Sequence, residues 1–262
     1  MKAIVVAAGR GSRLEPYTKD RPKCALEFAG RRLLDWQEAA LAHVGVERAE
    51  LVLGYHPEQL DDGTRQVWIN ERWNETNMVS SLLCARPTLA SGEPVVVVYG
   101  DIVFQPNVIK ALAAAQGDIR VIVDRQWLRY WQMRNEDPLL DAESLRIEAD
   151  GRLLDIGQKV KAVSEIQAQY IGLLYFSPAG CQALLDFMDR AEEGAPWLLG
   201  RSVDRCYMTD VLRGMIQSGH RLQGVGVDNG WLEFDTVSDY QTYCRMLEEG
   251  TLGEYFDTHW AV

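Results

Sequence analysis

The residues best placed to do chemistry lie in one N-terminal loop and in two acidic segments far apart in the chain. Residues Ile4-Val5-Val6-Ala7-Ala8-Gly9-Arg10-Gly11-Ser12-Arg13-Leu14 join an apolar run to a glycine loop, and Pro22-Lys23 follows. Small side chains at Ala7 and Ala8 let a flat ligand lie against the backbone. Gly9 and Gly11 permit backbone angles and a close approach that other residues block. The N–H groups of such a loop, that of Ser12 included, can cradle phosphate oxygens. Arg13 adds a planar fork of donors and Lys23 a point charge. An ordinary Gly-x-Gly turn would need neither cation. The loop is also not a dinucleotide fingerprint, which needs Gly or Ala where Leu14 stands and an acid about 20 positions on. It is not a P-loop either, because no Gly-Lys-Ser/Thr follows.

The first acidic segment is Val95-Val96-Val97-Val98-Tyr99-Gly100-Asp101, a buried strand that ends in an acid. Strand ends of open α/β sheets are where ligands bind, so Asp101 can hold a divalent cation there. A turn acid before Pro106 is the plainer alternative. The second is Trp231-Leu232-Glu233-Phe234-Asp235-Thr236, where alternation puts Glu233 and Asp235 on one face. Magnesium takes oxygen ligands, usually one or two carboxylates with phosphates and waters. No Ser-His-Asp or Cys-His arrangement competes with this reading.

These residues need elements to hold them. Residues 4–7, 50–54, 67–70, 94–99 and 119–124 read as strands, and 33–44, 80–87 and 107–116 as helices. The β-α-β order predicts an α/β fold with a mostly parallel, doubly wound sheet. After residue 125 the pattern changes. Residues 145–156 alternate around Asp150-Gly151, a hairpin signal. A strand over 168–176, helices over 178–193 and 208–218, closing strands over 221–227 and 231–236 and a last helix over 237–249 follow. The expectation is one domain: a core over 1–124, an antiparallel insert over 125–206 that covers the cleft, and a return to the core over 207–262.

Composition narrows the class. Net charge is -11, against a nucleic-acid binder, yet residues 1–32 carry eight basic side chains against three acidic ones. A positive segment on an acidic chain suggests an anion site. The five cysteines are scattered with no C-x-x-C pair, and the four histidines lack metal-ligand spacing. Nothing approaches the roughly 18 apolar residues of a membrane span. A cytoplasmic protein with reduced thiols, free of nucleic acid and membrane, is expected. The oligomeric state is left open, with a homodimer among the options.

At the strand, the A-A-G-x-G-S-R-L loop and the later Pro22-Lys23, the chain resembles the sugar-phosphate and phosphocholine nucleotidyltransferase superfamily. That resemblance implies a Rossmann-like fold, an NTP on the glycine loop, and Mg²⁺ held by Asp101 and by a late acid, Asp235 foremost and Glu233 beside it. Asn74-Glu75-Thr76-Asn77-Met78-Val79-Ser80-Ser81-Leu82 resembles the branch of phosphocholine and aminoethylphosphonate cytidylyltransferases. In that branch the segment meets the nucleotide, here through Asn77 and Ser80; helix capping is the alternative. Lys159 resembles the insert lysine that meets the acceptor's phosphoryl group. Asp124, Trp127, Tyr130 and Trp131 can surround a cationic head group, although such a cluster also suits packing. The implied partners are CTP and a small phosphate or phosphonate. A sugar-1-phosphate enzyme and an inactive nucleotide-binding subunit are the alternatives.

Overall fold

The computed structural model of the chain describes residues 1–261. Its centre is a seven-stranded sheet: β1 (Lys2–Ala7), β2 (Glu50–Leu53), β3 (Val67–Ile69), β4 (Val95–Tyr99), β5 (Ile119–Asp124), β6 (Gln169–Phe176) and β7 (Leu222–Val227). The spatial order is β7-β5-β6-β4-β1-β2-β3. All neighbours are parallel except β6, which runs antiparallel to both β4 and β5. The sheet was expected to be mostly parallel, and it is. Within the span expected as an insert, β6 lies in the middle of the sheet.

Alternation along the strands builds two apolar layers. Ala3, Val5, Val96, Val98 and Leu173 face one side, where α1 (Leu33–Ala42), α3 (Pro106–Ala114), α4 (Trp127–Arg134) and α7 (Val237–Glu248) contribute to the core. Ile4, Val95, Val97, Val121 and Leu174 face the other, against α2 (Met78–Cys84), α5 (Pro178–Asp189) and α6 (Met208–Gln217). The central strand β4 is covered on both faces, which is why residues 95–98 are apolar without a break.

Two elements depart from expectation. Trp231–Glu233 does not close the main sheet; it pairs antiparallel with Ile102–Phe104 as a separate ribbon. The aromatic run from Trp127 forms α4, whose Trp127, Tyr130 and Trp131 are buried. The hairpin is present, with Leu145–Ile147 against Leu153–Ile156. Among the described residues no helix is long and apolar enough to cross a membrane.

Candidate active site

Strands β1 and β4 lie side by side in parallel, with Val6 opposite Tyr99, so their carboxyl ends open at one place. Gly100 N–H donates to the Val6 carbonyl at 3.0 Å. A Cβ on Gly100 would sit 2.9 Å from that same oxygen, so the strand end can be this close only without a side chain. From β1 the chain enters the glycine loop. Gly11 has φ +67°, and a Cβ there would lie 2.4 Å from Lys23 Cγ. Glycine is required twice over, for conformation and for the lysine stem packed on it. Thr18, fully buried, donates its hydroxyl to the Gly11 carbonyl at 2.8 Å and fixes the loop.

Four charged groups converge at this opening. Lys23 Nζ donates to Asp101 Oδ2 at 3.0 Å and to Asp235 Oδ1 at 2.7 Å. Arg13 Nη1 reaches Asp235 Oδ2 at 2.7 Å. Burial works against the charge on Lys23, but the two carboxylates outweigh it and hold the ammonium above its usual range. Arg13 remains 68% exposed, whereas Lys23 is 16% exposed.

The strand pairing of Ile102–Phe104 with Trp231–Glu233 brings the two acids together. Just beyond it, Phe234 N–H donates to the Asp101 carbonyl at 2.8 Å, tying one acid's backbone to the neighbour of the other. The 233–236 segment is held at nearly every polar group. Tyr130 Oη accepts from Glu233 N–H at 2.8 Å, and Tyr243 donates to the Glu233 carbonyl at 3.0 Å. Asp239 accepts from the N–H groups of Asp235 and Thr236 at 3.3 and 2.8 Å. Arg134 clamps Asp239 through Nε at 3.0 Å and Glu233 through Nη1 at 2.6 Å.

A cavity of about 290 Å³ opens beside the four charges. Of the predicted residues, Ala7, Ala8, Gly9, Gly11, Ser12, Arg13, Lys23, Asn77 and Asp101 line it. Trp73, Thr76, Met78 and Ser81 also line it and were not foreseen. Trp73 is set by Gly54, where any Cβ would collide with its side chain at 2.5 Å. That glycine, at the end of an apolar strand, was the available signal.

Several expectations are corrected. Ser80 faces away and donates to the Asp204 carbonyl at 3.1 Å, while Ser81 lines the cavity. The helix starts at Met78 rather than at 80. Asp124 and the three aromatics form no cage. Asp124 is fully buried and accepts from Trp231 Nε1 at 2.9 Å, and Trp127, Tyr130 and Trp131 are 3%, 1% and 4% exposed. Rings of Tyr130 and Trp131 pack on Trp231 with centroids 4.8 and 6.1 Å apart, so the cluster carries the strand that leads to Asp235. The cation it holds is the protein's own Arg134, 5.3 Å from the Tyr130 centroid. Lys159 is exposed and lines a second hollow, between the hairpin and residues 158–167, rather than the 290 Å³ cavity. Glu233 is engaged by Arg134; burial and the nearby Asp101 and Asp235 push its carboxyl upward against that arginine's pull.

The donor set suits a hard divalent cation. Asp101 Oδ1 is buried without a hydrogen-bond partner, and a single ammonium already spans both carboxylates. Among the described residues no group of three or more His, Cys, Asp or Glu is arranged to hold a metal. Two carboxylates completed by phosphates and water are the usual magnesium arrangement.

An open parallel sheet with a glycine loop, two basic groups and paired acids at its strand ends defines a nucleotidyl-transfer architecture. The chain matches the MobA-like NTP transferase domain over residues 3–204 and belongs to that family; it is a nucleotidyltransferase. It is 31% identical to the CTP:phosphoglutamine cytidylyltransferase of Campylobacter jejuni, over 92% of this chain and 98% of that protein. It is 29% identical to the 2-aminoethylphosphonate cytidylyltransferase of Lancefieldella rimae, over 72% of each. The fold is shared with an inositol-1-phosphate CTP transferase from T. maritima (TM-score 0.72, 21% identity, 98% of each chain). It is shared also with the CTP:phosphocholine cytidylyltransferase of Streptococcus pneumoniae (TM-score 0.70, 19% identity, 94% of this chain and 98% of that one).

Proposed function

We infer that the enzyme joins the CMP part of CTP to a small phosphorylated or phosphonylated compound and releases pyrophosphate. The observation that carries this reading is the likeness to a CTP-dependent cytidylyltransferase along nearly the whole of both chains. The base and ribose are assigned to the 290 Å³ cavity between the β1 end and α2. The triphosphate then lies over the N–H groups of Gly9–Ser12, within reach of Arg13 and Lys23.

The acceptor oxygen is anionic at neutral pH, so the reaction needs no strong general base. What it needs is two anions held together while charge builds on the leaving pyrophosphate. Arg13 and Lys23 supply that charge, and Asp101 and Asp235 are the residues that would hold Mg²⁺. Bound there, the metal would neutralise phosphate charge and polarise the α-phosphoryl group.

The acceptor is proposed to bear an amine, as choline-phosphate and aminoethylphosphonate relatives suggest by name. With the aromatic cluster buried, that proposal rests on the relatives alone. The test is pyrophosphate release from CTP with phosphoglutamine, 2-aminoethylphosphonate, phosphocholine and glucose-1-phosphate as competing acceptors. CMP conjugates of the first three are expected. A dominant CDP-hexose would make it a sugar-1-phosphate enzyme, and no pyrophosphate with any acceptor would remove the reading.

A further inference from the structure

Lys23 occupies the place between Asp101 and Asp235 that a divalent cation would take. Its ammonium contacts both carboxylates at 3.0 and 2.7 Å, with Arg13 on the outer oxygen of Asp235 at 2.7 Å. The four groups form a neutral cluster, two cations against two anions. Yet one acceptor is left over: Asp101 Oδ1 is buried and unpaired. A lysine offers three donors on a compact head, and here that head is shared between two carboxylates without satisfying all their oxygens. The lysine stem is confined as well, since it packs against the bare backbone of Gly11.

We propose that Lys23 is a built-in competitor of the metal, released from the two acids when metal and nucleotide arrive together and then donating to phosphate. The proposal rests on the reading that metal and triphosphate meet at this site, and it adds an order to their binding. If metal came alone, Lys23 would lose both its anions while remaining largely buried, with no phosphate to receive it. If nucleotide came alone, its phosphates would meet Lys23 and Arg13 already committed to carboxylates, with those carboxylates unscreened nearby. With both ligands present, each displaced charge finds a partner. Metal and nucleotide therefore promote each other's binding, and the promotion is reciprocal by linkage. A coupling on the order of 10- to 100-fold is the usual size of such an effect.

The consequence reverses the ordinary expectation for a phosphate-binding lysine. Removing it should strengthen metal binding while activity is lost. The experiment measures Mn²⁺ binding to the full chain by the free-Mn²⁺ electron paramagnetic resonance signal, with no nucleotide present. Lys23→Met is expected to bind Mn²⁺ about tenfold or more tightly than the wild type. Arg10→Met removes the same charge from the adjoining glycine loop, where Arg10 pairs with Glu15 rather than with the two aspartates, and should change affinity by no more than about twofold. Asp235→Asn should lose most binding, which locates the ion. Because two facing carboxylates can lower the stability of Lys23→Met, thermal melts with and without Mg²⁺ accompany the binding curves. Mg²⁺ should raise the melting temperature of Lys23→Met more than that of the wild type. Unchanged or weaker Mn²⁺ affinity in Lys23→Met, or a gain no larger than that of Arg10→Met, overturns the proposal. Neither measurement uses CTP or turnover, so the outcome is separate from whether the cytidylyl-transfer reading holds.

Discussion

The N-terminal segment 9–23 and α4 both carry aromatic and basic side chains in a short span, and of the two only the first lines the 290 Å³ cavity. In the loop, Arg13 stands 68% exposed and Lys23 reaches across to acids from two other segments. In α4, Arg134 is 5% exposed and spends its donors on Asp239 and Glu233. The loop's polar groups are satisfied in ways a ligand can displace. Those of α4 are used up in holding Asp235 in place. Arg13 and Lys23, the residues proposed to meet phosphate, are the ones that folding leaves with something to exchange.

The sharpest break in that comparison is at the acids. Asp101→Ala and Asp235→Ala should each lower kcat by on the order of 10³-fold or more, with circular dichroism unchanged, since neither packs the core. Wild-type turnover at saturating Mg²⁺ in either variant would remove that residue from the metal site.

On the α4 side, Trp131→Ala should cost about 3–5 kcal/mol of stability, the usual range for a buried Trp. In the fraction that stays folded, KM for the acceptor should hold within about twofold. A selective rise in acceptor KM with unchanged denaturation midpoint would restore the head-group role that burial argues against.

Arg13→Ala is the reverse case. Its side chain is mostly in solvent, so the melting temperature should not move, while activity should fall by about 10²-fold through lost charge-assisted contacts. A lowered melting temperature with ordinary turnover would make Arg13 a structural residue.

The smallest effect separates two adjacent serines. Ser81→Ala removes from the cavity wall a hydroxyl that accepts from Asn70 Nδ2 at 2.9 Å, and should raise KM for the nucleotide by roughly two- to tenfold, the value of one hydrogen bond. Ser80→Ala, whose hydroxyl caps the Asp204 carbonyl, should leave KM alone. Equal effects would mean that α2 does not present Ser81 to the ligand.

The core strands and the glycine loop were legible because their signals are local. Four consecutive valines, β-branched throughout, read as a strand buried on both faces, and Gly9-Arg10-Gly11 followed by Arg13 and Lys23 has few structural uses. The acids were legible from strand ends. What stayed hidden depends on distant packing. Whether Trp131 faces a ligand or Trp231 is decided by a partner a hundred positions away, and no periodicity within 127–134 encodes it. Ser80 and Ser81 are neighbours of one type, and which of them meets the cavity is set by how α2 packs against the rest of the chain. Trp73 lacked any motif; only the need for Gly54 beneath it marks the place.

The ribbon that joins Ile102–Phe104 to Trp231–Glu233 also sets a schedule for biosynthesis. A ribosome adds about 5–20 residues per second, so Asp235 emerges of the order of ten seconds after Asp101. Until then the growing chain has its glycine loop and its first acid but no second one. The span that matches the family domain ends at residue 204, still short of that ribbon. A chain stopping there would lack both Asp235 and the ribbon strand that leads to it.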